Sequence, residues 1–304
     1  MNLHSIVTNV GLSVAVAALV LIPGLSVAPM HHQTAAAITP PATHVLTTTT
    51  SSTNAWGVNI VAFNSQDMGA NKPYIYNALQ QTNQYAPGHL KTLFGANATK
   101  HNILAAIDWL AANAKSTDTI IFSDNSHGYY QNGASGIVPV DYTSGGLISV
   151  QELASHLNNI HAKAMFILVD CCFAGNFISG ARPQQAPSLL SQGLEGQNRI
   201  VLMSTLRGGL GIGITIRDGQ GEQYLSFTRY VAEGINKHYD PNHDGIVSGE
   251  EVYRYAKSRW MPLALGYTLS VKWQSQTYRQ SGHIALPLPR IYDTAGVFPL
   301  AQAS

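Results

Sequence analysis

Met165-Phe166-Ile167-Leu168-Val169-Asp170-Cys171-Cys172-Phe173-Ala174-Gly175 is an apolar run that ends abruptly in a carboxylate, two thiols and a glycine. A short run rich in Ile, Val and Phe reads as a buried strand of a parallel sheet. A second stretch has the same build, with Thr119-Ile120-Ile121-Phe122 leading into Ser126-His127-Gly128. In open α/β sheets the carboxyl ends of the strands face the crevice where sites are built. A thiol is a weak nucleophile until its proton is removed, and a nearby imidazole is the usual acceptor. Cys172 and His127 therefore predict a cysteine hydrolase.

The same alternation extends along the chain. Val58-Asn59-Ile60-Val61-Ala62-Phe63 reads as a first core strand, and a helix is expected from about Pro73. Ile103, Leu104, Ile107, Leu110 and Ala111 form a helical stripe, with Asn97 as its expected N-cap. The Gly-rich stretch from Asn132-Gly133 to Gly145-Gly146 predicts a hairpin. Ser149 to Glu152 is a capping box opening a helix to Asn159. A polar loop, Asn176 to Asn198, separates the cysteine strand from a further strand at Ile200-Val201-Leu202-Met203. Strand, helix and strand in repetition predict an α/β fold with a mainly parallel central sheet and helices on both faces. Gly208 to Gly213 lacks the G-x-G-x-x-G spacing of a nucleotide-binding turn and reads as a loop near the site.

The composition narrows the class further. The 304 residues are 45% hydrophobic but only 11% charged, against about 25% in ordinary soluble proteins. A net charge of +1 offers no basic stripe to neutralise phosphates, which excludes a nucleic-acid partner. The two cysteines are neighbours and cannot form an unstrained disulfide. Ile6 to Ala28 is apolar, and Ser26-Val27-Ala28 has the small-x-small form of a signal-peptidase site. Its length, about 23 residues, also suffices for a membrane anchor. The expected organisation is a leader or anchor over 1–28, a Thr/Ala/Pro-rich linker over 29–55 and a catalytic domain over 56–304. It places the protein outside the cell, secreted or anchored facing outward.

Asp240-Pro241-Asn242-His243-Asp244-Gly245-Ile246-Val247-Ser248-Gly249-Glu250-Glu251 satisfies D-x-[DN]-x-[DN]-G-x5-E, the calcium loop of an EF-hand. Asp240, Asn242, Asp244, Ser248 and Glu251 supply side-chain oxygens, and Ile246 supplies its backbone carbonyl. Amphipathic segments flank the loop, so 225–260 is expected to be helix-loop-helix binding structural Ca²⁺.

On Ser126-His127-Gly128 and Asp170-Cys171-Cys172-Phe173-Ala174-Gly175 the chain resembles caspase-like cysteine peptidases of the metacaspase type, over about residues 56 to 260. The resemblance implies a three-layer caspase-like fold, Cys172 as nucleophile, His127 as base and the N–H groups of Gly128 and Cys172 as oxyanion hole. It also implies Asp170 as the acidic residue of the S1 pocket, hence cleavage of peptide or protein substrates after Arg or Lys. Self-processing in the 176–198 loop is expected at Arg182 or Arg199. Cys171 is expected to pack rather than react. Two other readings share these residues: an inactive calcium-binding surface module or scaffold, and a legumain-like peptidase or ligase.

Overall fold

The computed structural model describes residues 54–64, 71–179, 193–218, 221–274 and 288–303. The predicted leader and most of the predicted linker lie outside them. In chain order the elements are β1 (Ala55–Ala62), α1 (Tyr74–Gln80), β2 (Leu90–Phe94), α2 (Lys100–Asn113), β3 (Thr119–Gln131), β4 (Ala134–Val138) and the one-turn α3 (Tyr142–Gly145). There follow β5 (Ile148–Ser149), α4 (Val150–Asn158), β6 (Ala164–Asp170), β7 (Arg199–Met203), β8 (Ile214–Asp218) and β9 (Gly221–Leu225). The last elements are α5 (Phe227–Asn236), β10 (Ile246–Ser248), α6 (Gly249–Gln274), β11 (Arg290–Asp293) and β12 (Pro299–Gln302).

The main sheet runs β11-β7-β6-β3-β1-β2, parallel except for β11 at its edge. Strand alternation divides its central residues between two cores. Ile120, Phe122, Ile167 and Val169 face Ile103, Ile107 and Leu110 of α2 and Leu153 and Leu157 of α4. Ile121, Phe166, Leu168, Ile200 and Leu202 face Ile75 and Leu79 of α1, Phe227 and Val231 of α5, and Val252, Ala256 and Trp260 of α6. The fold is therefore α/β, with helices on both faces of a mostly parallel sheet, consistent with the caspase-like architecture.

Three boundaries differ from the sequence reading. The first strand runs from Ala55 to Ala62 rather than from Val58 to Phe63. β3 continues through His127 to Gln131, turns at Asn132 and Gly133 (both with positive φ) and returns as β4. The cap of α2 is Thr99, whose hydroxyl accepts the Asn102 N–H at 3.2 Å; Asn97 lies in a preceding 3-10 turn. Both residues are good capping types, and only the backbone path selects between them. The capping box of α4 forms as expected, with Ser149 Oγ accepting the Glu152 N–H at 3.1 Å.

A helix loses about 1 kcal/mol when such a cap is removed. Thr99→Ala should lower the thermal midpoint by about 2–4 °C, whereas Asn97→Ala should leave it in place. Thermal unfolding followed by circular dichroism checks the pair.

Candidate active site

β3 and β6 lie side by side in parallel register, and their last pair is Asn125 with Asp170. His127 and Cys172 each stand two residues beyond that pair, so the register brings the two motifs to one edge of the sheet. There the strands part. β3 leaves the main sheet to pair with β4, His127 lying opposite Val138. β6 ends, and the chain turns through Phe173, a non-glycine residue at φ 63° in the left-handed region. Holding a bulky residue in that region costs about 1–3 kcal/mol. It is maintained by a 2.6 Å hydrogen bond from the Phe173 N–H to the Gly209 carbonyl.

The closest approach is between backbones. A Cβ built on Gly128 would overlap the Cys172 carbonyl oxygen and come within 2.9 Å of Cys171 Sγ. Position 128 must therefore be glycine for the two strand ends to meet. From the other side Gly211 lies against the Cys171–Cys172 peptide, where an added Cβ would sit 2.8 Å from Cys172 N. The Cys172 thiol donates to the Gly211 carbonyl at 3.8 Å. Burial pushes that thiol above the ordinary value of 9.0; backbone hydrogen bonds of Gly211 and Gly128 oppose the rise, and Asp170 adds to it. The imidazole of His127 packs edge-on to Phe63, with ring centroids 5.1 Å apart. Cys171 is 3% exposed and its Sγ donates to the Cys172 carbonyl at 3.2 Å. Burial raises its thiol well above 9.0, which leaves it protonated and inert.

Two buried carboxylates flank this edge on opposite faces of the sheet. Asp170, on the α5 face, accepts the Thr228 N–H at 2.8 Å in the first turn of that helix. Burial raises its pKa, opposed by hydrogen bonds from Thr228, Ser204 and Ser226. No cationic side chain pairs with it among the described residues. Asp124, on the α2/α4 face, is fully buried; its Oδ2 accepts from Ser126 Oγ at 2.7 Å and its Oδ1 has no partner. Its pKa is raised to about 7, chiefly by burial and then by Asp170, against the lowering effect of Ser126. The sequence reading missed Asp124 because an acid inside an otherwise apolar strand looks like an edge residue; the signal was its alternation with Ile120 and Phe122.

The calcium-loop residues lie elsewhere, between α5 and α6. Asp240 accepts the N–H groups of Asp244 and Gly245 at 3.2 and 3.0 Å, and Asp244 accepts that of Ile246 at 2.9 Å. Asn242 also accepts the Asp244 N–H and donates to the Asp244 carboxylate. Glu251 is fully buried: its Oε2 takes the Ser248 N–H and hydroxyl, each at 2.9 Å, and its Oε1 has no partner. Among the described residues no three His, Cys, Asp or Glu side chains converge as a metal cluster. The donor set and the orphaned Glu251 oxygen fit a divalent cation, but the carboxylates are engaged with the loop's own N–H groups. β10 within the loop pairs with β12, so the carboxyl-terminal strand holds one side of it.

Arg199 is not an accessible processing point. It is the first residue of β7, 7% exposed, and its guanidinium donates to the Leu194 and Leu157 carbonyls and to Asn158 Oδ1. Cleavage there would require the strand to leave the sheet. Arg182 lies outside the described residues.

Comparison with known proteins reaches part of the chain. The family described as metacaspase, peptidase C14 domain, matches residues 65–180, a span that contains both His127 and Cys172. This supports the caspase-like family and its class of cysteine peptidases; it does not reach Asp240–Glu251. No curated protein matches the chain. A solved structure of a protein from Geobacter sulfurreducens is similar at 11% identity, covering 69% of this chain and 90% of that one, with a TM-score of 0.43.

Asp124 makes stability depend on pH in a fixed direction. The folded chain keeps a proton that the unfolded chain releases near 3.8, so stability falls as pH rises from that value to about 7. Between about pH 5 and about pH 8 this group should remove about 2–3 kcal/mol. Urea unfolding of Asp124→Asn should show that part of the decline abolished; an unchanged decline would assign it to other groups.

Proposed function

We propose that this chain is a cysteine endopeptidase with Cys172 as nucleophile and His127 as general base, cleaving after Arg or Lys. One observation carries the reading: the Gly128 backbone packs on the Cys172 carbonyl where the His127 and Cys172 motifs leave two neighbouring parallel strands. Cys172 Sγ attacks the scissile carbonyl carbon as its proton passes to His127. The N–H groups of Gly128 and Cys172 receive the oxyanion that develops. His127 then protonates the leaving amine as the C–N bond breaks, leaving a thioester. Water, deprotonated by His127, releases the carboxylic acid and restores the thiol. Asp170 supports the basic preference: it is a buried carboxylate held by neutral donors, and a guanidinium or ammonium would supply the charge it lacks.

Calcium belongs to the same proposal. Asp240, Asn242, Asp244, Ser248 and Glu251, with the Ile246 carbonyl, would hold it. Its chemistry there is neutralisation of crowded carboxylates and cross-linking of the loop. The leader over 1–28 and the linker over 29–55 suit export or outward-facing anchoring, and Arg182 is the residue left for self-processing.

Hydrolysis of a fluorogenic Arg-P1 peptide should be abolished in Cys172→Ala and reduced at least about 100-fold in His127→Ala. Wild-type turnover that survives Cys172→Ala would reject the dyad. Addition of calcium at about 100 times its Kd should stabilise the fold by about 2.7 kcal/mol. Glu251→Gln should lose most of that gain in thermal unfolding; equal gains in both proteins would place the ion elsewhere.

A further inference from the structure

A cleft of about 430 Å³ opens beside the cysteine turn, lined among others by Tyr130, Ser135, Gln151, Asn176, Arg207 and Gly208. Neither Cys172 nor His127 lines it, but both motifs lead into it. Tyr130 is three residues beyond His127 on the same strand, Phe173 follows Cys172, and the two rings lie 5.9 Å apart. The volume falls within the roughly 300–1,000 Å³ typical of ligand sites.

The walls of the cleft are tied together by one side chain. Asn176 Nδ2 donates to Ser135 Oγ at 2.8 Å, and its Oδ1 accepts the Gly208 N–H at 2.9 Å. Gly175 is packed so closely on the Leu206–Arg207 peptide that an added Cβ would overlap it. Arg207 is thus fixed at the rim. Its Nη2 donates to the Ile178 carbonyl at 2.7 Å, and it has no acidic partner among the described residues. The Glu195 carboxylate stands one peptide away from Arg207: its Oε1 accepts the Ser179 N–H of the peptide whose Ile178 carbonyl accepts the guanidinium. The rim therefore offers a planar cation with no ion-pair partner among the described residues, in a cleft that also presents an aromatic ring 56% exposed.

The position of the cleft gives it a role. Asp170 meets the first turn of α5 on one face of the sheet, whereas Gln151 at the start of α4 lines the cleft on the other. The cysteine turn runs from Asp170 at the end of β6 to Phe173, whose ring meets Tyr130 of the cleft. A peptide that directs its basic residue toward Asp170 and crosses Cys172 can lay the residues after the scissile bond along the cysteine turn and into the cleft. We infer that this cleft is the subsite for the carboxyl-side residues of the substrate, and that Arg207 makes it select an acidic side chain there. The inference rests on the peptidase reading above.

The test uses internally quenched peptides with Arg before the scissile bond and Glu, Ala or Lys at the first two positions after it. An Arg-coumarin amide, which has no residue beyond the bond, titrates the active enzyme in each preparation. Wild type should cleave the Glu peptides about five- to tenfold faster than the Lys peptides, the scale of one partly shielded charge pair. Arg207→Lys should keep that order, Arg207→Gln should flatten it and Arg207→Glu should reverse it. Coumarin turnover with the same Glu-to-Lys ratio in all four proteins would overturn the inference alone. Absence of turnover on both substrate types in wild type would overturn the peptidase reading and the inference with it.

Discussion

The contact between Gly128 and the Cys172 peptide is the constraint on which the site depends. Two parallel strands ending at the same register would normally deliver side chains about 5 Å apart into the same crevice. Here β3 also has to pass over the cysteine turn and continue as a hairpin, and any Cβ at position 128 would strike the Cys172 carbonyl. The absence of that atom lets the backbone itself approach the Cys172 peptide. Phe173 absorbs the corresponding strain on the other strand, in a conformation L-residues rarely adopt. Gly211 closes the arrangement from a third direction. The site is thus defined by backbone packed on both peptide bonds of Cys172, Gly128 on the one that follows it and Gly211 on the one that precedes it, with side chains added to it.

Around this centre the electrostatics are set by what is missing. Asp124 and Asp170 are buried on opposite faces, and neither has a cationic partner among the described residues, so both are pushed toward the neutral acid. The cost falls at the edge of the sheet where the His127 and Cys172 motifs meet. The thiol of Cys172 shares that low-dielectric environment. Cys171, its neighbour in sequence, is sealed beneath and differs from it in access rather than in chemistry.

Helix α5 joins the two charged regions of the molecule. Its first turn donates Thr228 N–H to Asp170, and its far end runs into the Asp240–Glu251 loop. The loop in turn is braced by β12, and Gly249 at the start of α6 lies so close to Phe166 and Ile200 that a Cβ there would come within 3.1 Å of the first and 2.9 Å of the second. The loop therefore stands directly on the sheet that carries Cys172, although it is remote from it along the chain.

Local pattern alone determined a large part of this protein. The apolar runs before His127 and Cys172 specified buried strands, Ser149 and Glu152 specified a helix start, and the oxygen spacing from Asp240 to Glu251 specified a loop between two helices. Each depends on residues within about one turn or one strand of each other, where periodicity and capping chemistry act. Other features required the folded chain. Thr99 rather than Asn97 caps α2 because of the path of the backbone before it. Arg199, exposed by any composition rule, is buried because β7 starts beside the carboxyl end of α4 and the Leu194 carbonyl, which accept its guanidinium. Asp124 reads as polar and lies fully buried, and the cleft beside Tyr130 and Arg207 joins residues from four separate segments. Those outcomes depend on contacts between positions far apart in sequence, and no short-range signal encodes which long-range neighbour a side chain will meet.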